Sequence, residues 1–198
     1  MGKKYLLGLD NGGTVIKAGL YDTAGSAAAF ASAEVEAIVG RNGAVERDMD
    51  ELWRMNARAI RACIQKAGID PKDIIGAAVC GHGNGLYLID EGGRPVRNGV
   101  YSSDTRAKDY VRRFVKDGTY DKIQPKTMQV LYAGQPTVLI AYLKAHEPEK
   151  LAKARWALTS TDYIRFCLTG EVYGEITNMS AVSAMDQRTR KYDGEVFQ

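Results

Sequence analysis

Asp10 ends a short apolar run and is followed by Asn11, Gly12, Gly13 and Thr14, with Lys17 three residues further on. A carboxylate at the end of a buried strand is costly without a partner. A hydrated Mg²⁺ beside phosphates is one such partner, because hard cations prefer carboxylate oxygen. Two glycines let backbone N–H groups approach a phosphate closely. Thr14 adds a hydroxyl and Lys17 a positive charge. The segment is not a P-loop, since G-x-x-x-x-G-K-[ST] is absent. A tight hairpin with Asp10 and Asn11 as ordinary turn residues accounts for the spacing equally well.

A second candidate is Cys80-Gly81-His82-Gly83-Asn84-Gly85, which leaves a run that reads as a buried strand. Glycine keeps the backbone open, and His82 and Asn84 carry hydrogen-bonding groups suited to hydroxyls. Ligands of open α/β sheets collect at the carboxyl ends of strands, so position favours a ligand over a plain turn. His82 makes a poor metal ligand, because the other histidine, His146, is far along on a predicted helix. In a third segment, Ser102-Ser103-Asp104-Thr105-Arg106, Asp104 could accept from sugar hydroxyls with Arg106 orienting it. Capping of the next helix by Asp104, with Arg106 solvated, is the commoner use of such residues. Lys108, Arg112, Arg113 and Lys116 read as a solvated helix face, Trp53 and Trp156 as core, and Ser160, Thr161 and Asp162 as a cap. No G-x-S-x-G elbow or Ser-His-Asp order occurs.

The elements that must position these residues follow from periodicity. Residues 5–9, 15–21 and 27–36 read as a meander of three strands. Asp48 with Glu51 three residues on forms a capping-box arrangement, and Gly68 closes the helix between them. Residues 74–80 suit a strand buried on both faces, as in a parallel sheet. Residues 86–89 and 156–159 read as strands, and 107–116, 136–146 and 162–168 as helices. The order β-β-β-α-β predicts an α/β fold.

Composition excludes other classes. There are 27 Lys plus Arg against 24 Asp plus Glu, a net charge of +3, too balanced for a chain built mainly to bind nucleic acid. The apolar share of 45% predicts a core rather than disorder. Cys63, Cys80 and Cys167 are too far apart for a C-x-x-C pair and read as buried thiols of a reducing compartment. The apolar run near the start is too short for a signal peptide or a membrane span, so the cytoplasm is expected. Residues 193–198 carry no helix stop and no charged tail, and predict that the chain is part of a longer one.

Taken together, the segments resemble the FGGY carbohydrate kinases, and within them the bacterial L-xylulose (3-keto-L-gulonate-type) kinases. The resemblance is carried by residues 8–14 with 17–22, Val45-Glu46-Arg47-Asp48 before Glu51-Leu52-Trp53, residues 102–107, and Asp162-Tyr163-Ile164-Arg165 before Leu168-Thr169-Gly170. It implies a ribonuclease H-like domain of the actin/hexokinase/Hsp70 type, with a mixed five-stranded sheet and flanking helices. Residues 1–198 would be most of the N-terminal, sugar-binding half, without the C-terminal ATP-binding domain. ATP and Mg²⁺ are the implied cofactors. Asp10 would act on the metal and phosphates, Lys17 would stand near the transferred phosphate, and Asn11, Gly12, Gly13 and Thr14 would form the phosphate loop. His82, Gly83, Asn84 and Asp104 would contact sugar. The family's general base, an Asp, would fall beyond Gln198.

Two departures bear on substrate. The family usually has a Lys in the segment 136–139, where this chain has Leu139. Xylulose kinases usually carry Met-His where Gly83 and Asn84 stand, which argues against D-xylulose. The expected reaction is ATP-dependent phosphorylation of a hydroxyl of a ketopentose, L-xylulose-like. The partners are a small sugar and ATP, with neither nucleic acid nor membrane and with homodimerisation left open. The rival readings are a non-catalytic sugar- or partner-binding fragment and an actin- or Hsp70-like ATPase half.

Overall fold

The computed structural model describes residues 2–196. Three antiparallel strands open the chain: β1 (Tyr5–Asn11), β2 (Val15–Asp22) and β3 (Ala27–Glu34). Short strands β4 (Ile38–Val39) and β5 (Val45–Arg47) lead into helix α1 (Met49–Ala67). Strand β6 (Ile74–Gly81) then pairs in parallel with β1, giving the spatial order β3-β2-β1-β6. A parallel partner needs a long crossover, and α1 supplies it. Its start is capped as expected: the Asp48 carboxylate accepts from the Glu51 N–H at 2.8 Å. Its end is Gly68 at φ +64°, whose N–H reaches the Ile64 and Gln65 carbonyls. The helix buries Leu52, Ala59 and Cys63 against Leu9, Ile16 and Leu20 of the sheet.

The main sheet has four strands among the described residues, where the resemblance implied five. The later strand β9 (Trp156–Leu158) does not join it. It pairs antiparallel with β7 (Tyr87–Ile89) in a separate ribbon. Among the described residues β6 is therefore an edge, and it is exposed along this side where burial on both faces was expected. Ile75 is 58% exposed, and the thiol of Cys80 is exposed rather than buried. Cys63 alone of the three cysteines is fully buried.

The rest of the chain builds a second layer. Strand β8 (Gly99–Val100) pairs with β5, and helices α2 (Lys108–Lys116), α3 (Thr119–Thr127), α4 (Pro136–His146) and α5 (Pro148–Leu151) follow. Helix α6 (Ser160–Thr169) packs on β6, and α7 (Ile176–Ser180) precedes the hairpin β10 (Met185–Asp186) and β11 (Lys191–Tyr192). Leu86, Leu88, Val100, Leu139 and Leu143 make the core of this layer. Helix α3 has no strong apolar period and contains Pro125; Tyr120 and Ile123 hold it by packing against that core. Trp156, expected in the core, is 39% exposed and lies beneath the Arg155 guanidinium at 4.7 Å.

Most of the stability of α1 should come from its buried face, because helix propensity alone is weak. Leu52→Ala is expected to cost about 2–5 kcal/mol and Asp48→Ala about 1 kcal/mol. Urea unfolding of the two variants should rank them in that order. Equal losses would mean that the cap, not the face, anchors the helix.

Candidate functional site

The register of the main sheet brings the first two candidate segments together. Asp10 lies opposite Lys17 on β2 and opposite Cys80 on β6. Directly opposed residues of an antiparallel pair share a face, so Asp10 and Lys17 point to the same side. The carboxyl ends of β1 and β6 finish side by side, with 11–14 leaving one and 81–84 leaving the other. Asp10 is half-buried, Asn11 is buried, and Thr14 and Lys17 are exposed. The glycines are sterically required. A Cβ on Gly12 would strike the Val15 carbonyl oxygen, one on Gly13 the Tyr101 hydroxyl, and one on Gly81 the Asn11 carbonyl oxygen.

A chain of buried polar groups supports this surface from below. Asn11 Nδ2 donates to Ser160 Oγ at 2.6 Å, and Asn11 Oδ1 accepts from Asn56 Nδ2 at 3.0 Å. Asn56 also donates to the Leu52 carbonyl at 2.8 Å, which fastens the network to α1. Ser160, on the first turn of α6, hydrogen-bonds the buried Tyr87 hydroxyl. That hydroxyl lies 3.3 Å from His82 Nε2. The His82 ring lies 4.4 Å from the Tyr101 ring, and the Arg47 guanidinium sits 4.8 Å from the centroid of the same tyrosine. Arg47 in turn donates to the Val35 carbonyl at 3.1 Å and to the Gly13 carbonyl. Asn56 and Tyr101 are thus site residues outside the sequence motifs, and Arg47 and Ser160 stood in them only as part of the stretch 45–48 and of a helix cap. A lone Arg at the inward end of a short strand was the one available signal.

His82, Gly83 and Asn84 form the rim. Asn84 stands at φ +59°, and its Oδ1 is buried with no hydrogen-bond partner. A Cβ on Gly83 would meet only Asn178 Oδ1, at 3.4 Å, so this position is open. Asn178 is held by Thr159 and Thr161 at 2.7 and 2.8 Å. Alongside, a groove of about 700 Å³ runs past Cys80, Gly81, Asp162, Arg165 and Asn178.

Asp104 has a different setting from either expectation. The N-cap of α2 is Ala107, so Asp104 does not cap it. Its buried carboxylate accepts from the Val45 N–H at 2.7 Å, the Arg106 N–H at 2.9 Å and Arg106 Nε at 2.9 Å. Arg106 is not solvated. It also reaches Glu46 at 2.8 Å, and Glu46 binds Arg97 at 2.5 Å. Burial raises the Glu46 pKa, but Arg106 and Arg97 outweigh it and hold the carboxyl below its usual range. Asp104 therefore pins the turn after β8 to β5. That turn carries Tyr101, whose N–H donates to the Val45 carbonyl at 2.9 Å.

Burial drives the His82 pKa down to about 4; the Asn11 backbone carbonyl, as an acceptor for the imidazole, opposes this, and the charge of Arg47 adds to the fall. The folded protein thus holds a neutral imidazole where the unfolded chain titrates at 6.5. Below pH 6.5 the unfolded chain takes up a proton that the folded one refuses. This contribution to stability is complete above 6.5 and is lost as pH falls toward 4, by about 3 kcal/mol at most. Urea unfolding across that window should show the loss. His82→Gln should flatten it, and an undiminished slope in that variant would count against His82 as the source.

Residues 5–198 match the FGGY family of carbohydrate kinases, N-terminal domain. A probable L-xylulose kinase of Pasteurella multocida is 39% identical over 189 residues, which is 96% of this chain and 39% of that protein. An L-xylulose/3-keto-L-gulonate kinase of Escherichia coli is also 39% identical, over 190 residues, covering 96% of this chain and 38% of its own length. The crystal structure of gluconate kinase from Lactobacillus acidophilus superposes with a TM-score of 0.92 at 26% identity, covering 99% of this chain and 39% of that one. The chain therefore spans about 39% of the length of the curated relatives it matches. A matching family over nearly every residue, relatives of this identity and the shared fold lead to one conclusion: the chain belongs to the FGGY family of carbohydrate kinases.

Proposed function

We propose that this chain is the sugar-binding half, with the phosphate loop, of an ATP-dependent kinase that phosphorylates a hydroxyl of an L-xylulose-like ketopentose. The observation that carries the reading is the parallel pairing of β1 with β6, which sets the acid–glycine loop beside the 82–84 rim. Phosphoryl transfer is mostly positioning and charge neutralisation, and both demands have residues here. Gly12, Gly13 and Thr14 offer backbone N–H groups to phosphate. Lys17 brings a positive charge to the face that carries Asp10. His82 and Asn84 orient the sugar, with the unpartnered Asn84 Oδ1 ready to accept from a hydroxyl, and Gly83 leaves room. Asp104, its oxygens already engaged, contributes through the Tyr101 turn.

The residues fit ATP and Mg²⁺. Asp10 offers one carboxylate beside the glycine loop, and among the described residues no group of three His, Cys, Asp or Glu could hold a metal. That suits Mg²⁺, which keeps its waters and is held by one or two carboxylates plus substrate phosphates. When bound, the ion would neutralise phosphate charge. The general base and the adenosine site are assigned to chain outside residues 1–198. The cytoplasm as compartment belongs to the same reading. Among the described residues no helix is long and apolar enough to cross a membrane.

The test is coupled ATP-to-ADP turnover against ketopentoses and polyols, run on this chain and on a version extended to the natural stop codon. Activity on one sugar is expected in the extended protein, with little or none in this chain. Turnover by this chain at the rate of a complete sugar kinase would refute the assignment. Sugar binding by calorimetry with no turnover in either would favour the non-catalytic binding reading. Sugar-independent ATP hydrolysis would favour the ATPase half.

Within the extended protein, Asp10→Asn should lower kcat and leave the sugar KM little changed. Asn84→Ala should raise the sugar KM about tenfold, the worth of one hydrogen bond. Steady-state kinetics in both substrates reads the two effects separately.

A further inference from the structure

Among the described residues Arg47 is the largest fully buried side chain, only 2% exposed. Arg97, Arg106 and Arg165 each face a carboxylate. Among the described residues Arg47 has none within 4 Å. Its guanidinium is spent on two backbone carbonyls, Val35 and Gly13, and on the face of Tyr101. A buried, uncompensated cation is expensive, and two neutral acceptors do not offset it as a carboxylate would.

Arg47 governs a backbone orientation. In a trans peptide the carbonyl of one residue and the N–H of the next point in opposite directions. With the Gly13 carbonyl drawn inward to Arg47, the N–H of Thr14 faces away from the guanidinium, on the exposed side of the loop. The Thr14 carbonyl is also held, by the Val35 N–H at 3.0 Å, and the Val35 carbonyl returns to Arg47. The Tyr101 hydroxyl fills the space beneath Gly13. The loop is therefore clamped at two successive carbonyls, with a positive charge directly under it.

We propose that Arg47 is a positioning residue for anion binding: it turns the Thr14 N–H outward and lends its unneutralised charge to the loop. The proposal rests on the reading of 11–14 as a phosphate loop and deepens it. Preorganised donors over a buried charge need no rearrangement when an anion arrives.

The first arm uses the ¹⁵N-labelled chain titrated with inorganic pyrophosphate. Thr14 and Gly13 amide resonances should shift on binding. Arg47→Met, which keeps the aliphatic volume, should bind about tenfold more weakly, and Arg47→Lys should recover part of the loss. The second arm uses the protein extended to its stop codon. Arg47→Met should raise the KM for ATP about tenfold while the sugar KM stays within about twofold. A Thr14 amide indifferent to pyrophosphate, unchanged affinity in Arg47→Met, or equal rises in both KM values would overturn the proposal. So would the loss of the folded spectrum in both variants, which would make Arg47 simply structural. Pyrophosphate binding that depends on Arg47, in an extended protein that phosphorylates no sugar, would retain this inference and remove the kinase reading.

Discussion

The parallel contact between β1 and β6 is the constraint on which the rest of the structure depends. It places the carboxyl end of β1 against that of β6, in register from Leu6 opposite Gly76 to Asn11 opposite Gly81. Every loop that leaves this edge of the sheet faces the same space. The contact also obliges the chain to cross over, and α1 does so while covering one face of β2 and β3. The site and the core are thus two consequences of one pairing. Gly81 shows how tight the join is: its backbone lies so near the Asn11 carbonyl that no side chain fits there.

Beneath the join lies a polar layer rather than an apolar one. Asn56, Asn11, Ser160, Tyr87 and His82 hand hydrogen bonds from α1 to α6 and on to the rim. Buried polar networks are costly where incomplete and rigidifying where complete. This one links segments distant in the chain, including 11 with 160 and 11 with 56. A change at one end, such as loss of the Asn11 amide, would strand partners at the other. The network also explains the neutral His82, whose ring is shut between Tyr87 and Tyr101 with the Arg47 charge nearby. A second, charged network of Asp104, Arg106, Glu46, Arg97 and Glu147 holds the Tyr101 turn from the other side.

Much of the fold was legible because its signals are local. Asp48, Glu51 and Gly68 mark the ends of α1 through bonds made within a turn of the helix itself. Pro136 and His146 bound α4 as expected, because proline at the first position needs no donor. The meander of β1 to β3 followed from runs broken by glycine. What failed to show was set at a distance. Helix α3 exists because Tyr120 and Ile123 find a core built by other elements. Among the described residues β6 is an edge, and residues 156–158 pair with β7 rather than with it. Asp104 looked like a cap because its immediate sequence suits one, while its real partners are Val45, Arg106 and, through Arg106, Glu46.

The site divides in the same way. The sequence alone determined the chemistry on offer: an acid, two glycines and a threonine after one strand, and a histidine and an asparagine between glycines after another. These are short-range patterns, and their meaning lies in the residue types. Only the tertiary structure decided that the two segments are neighbours, that Lys17 shares a face with Asp10, and that Arg47 and Tyr101 lie under Gly13. The physical reason is that such relations depend on strand register and on hydrogen bonds spanning many residues. No local pattern encodes them; the packing of the whole chain does.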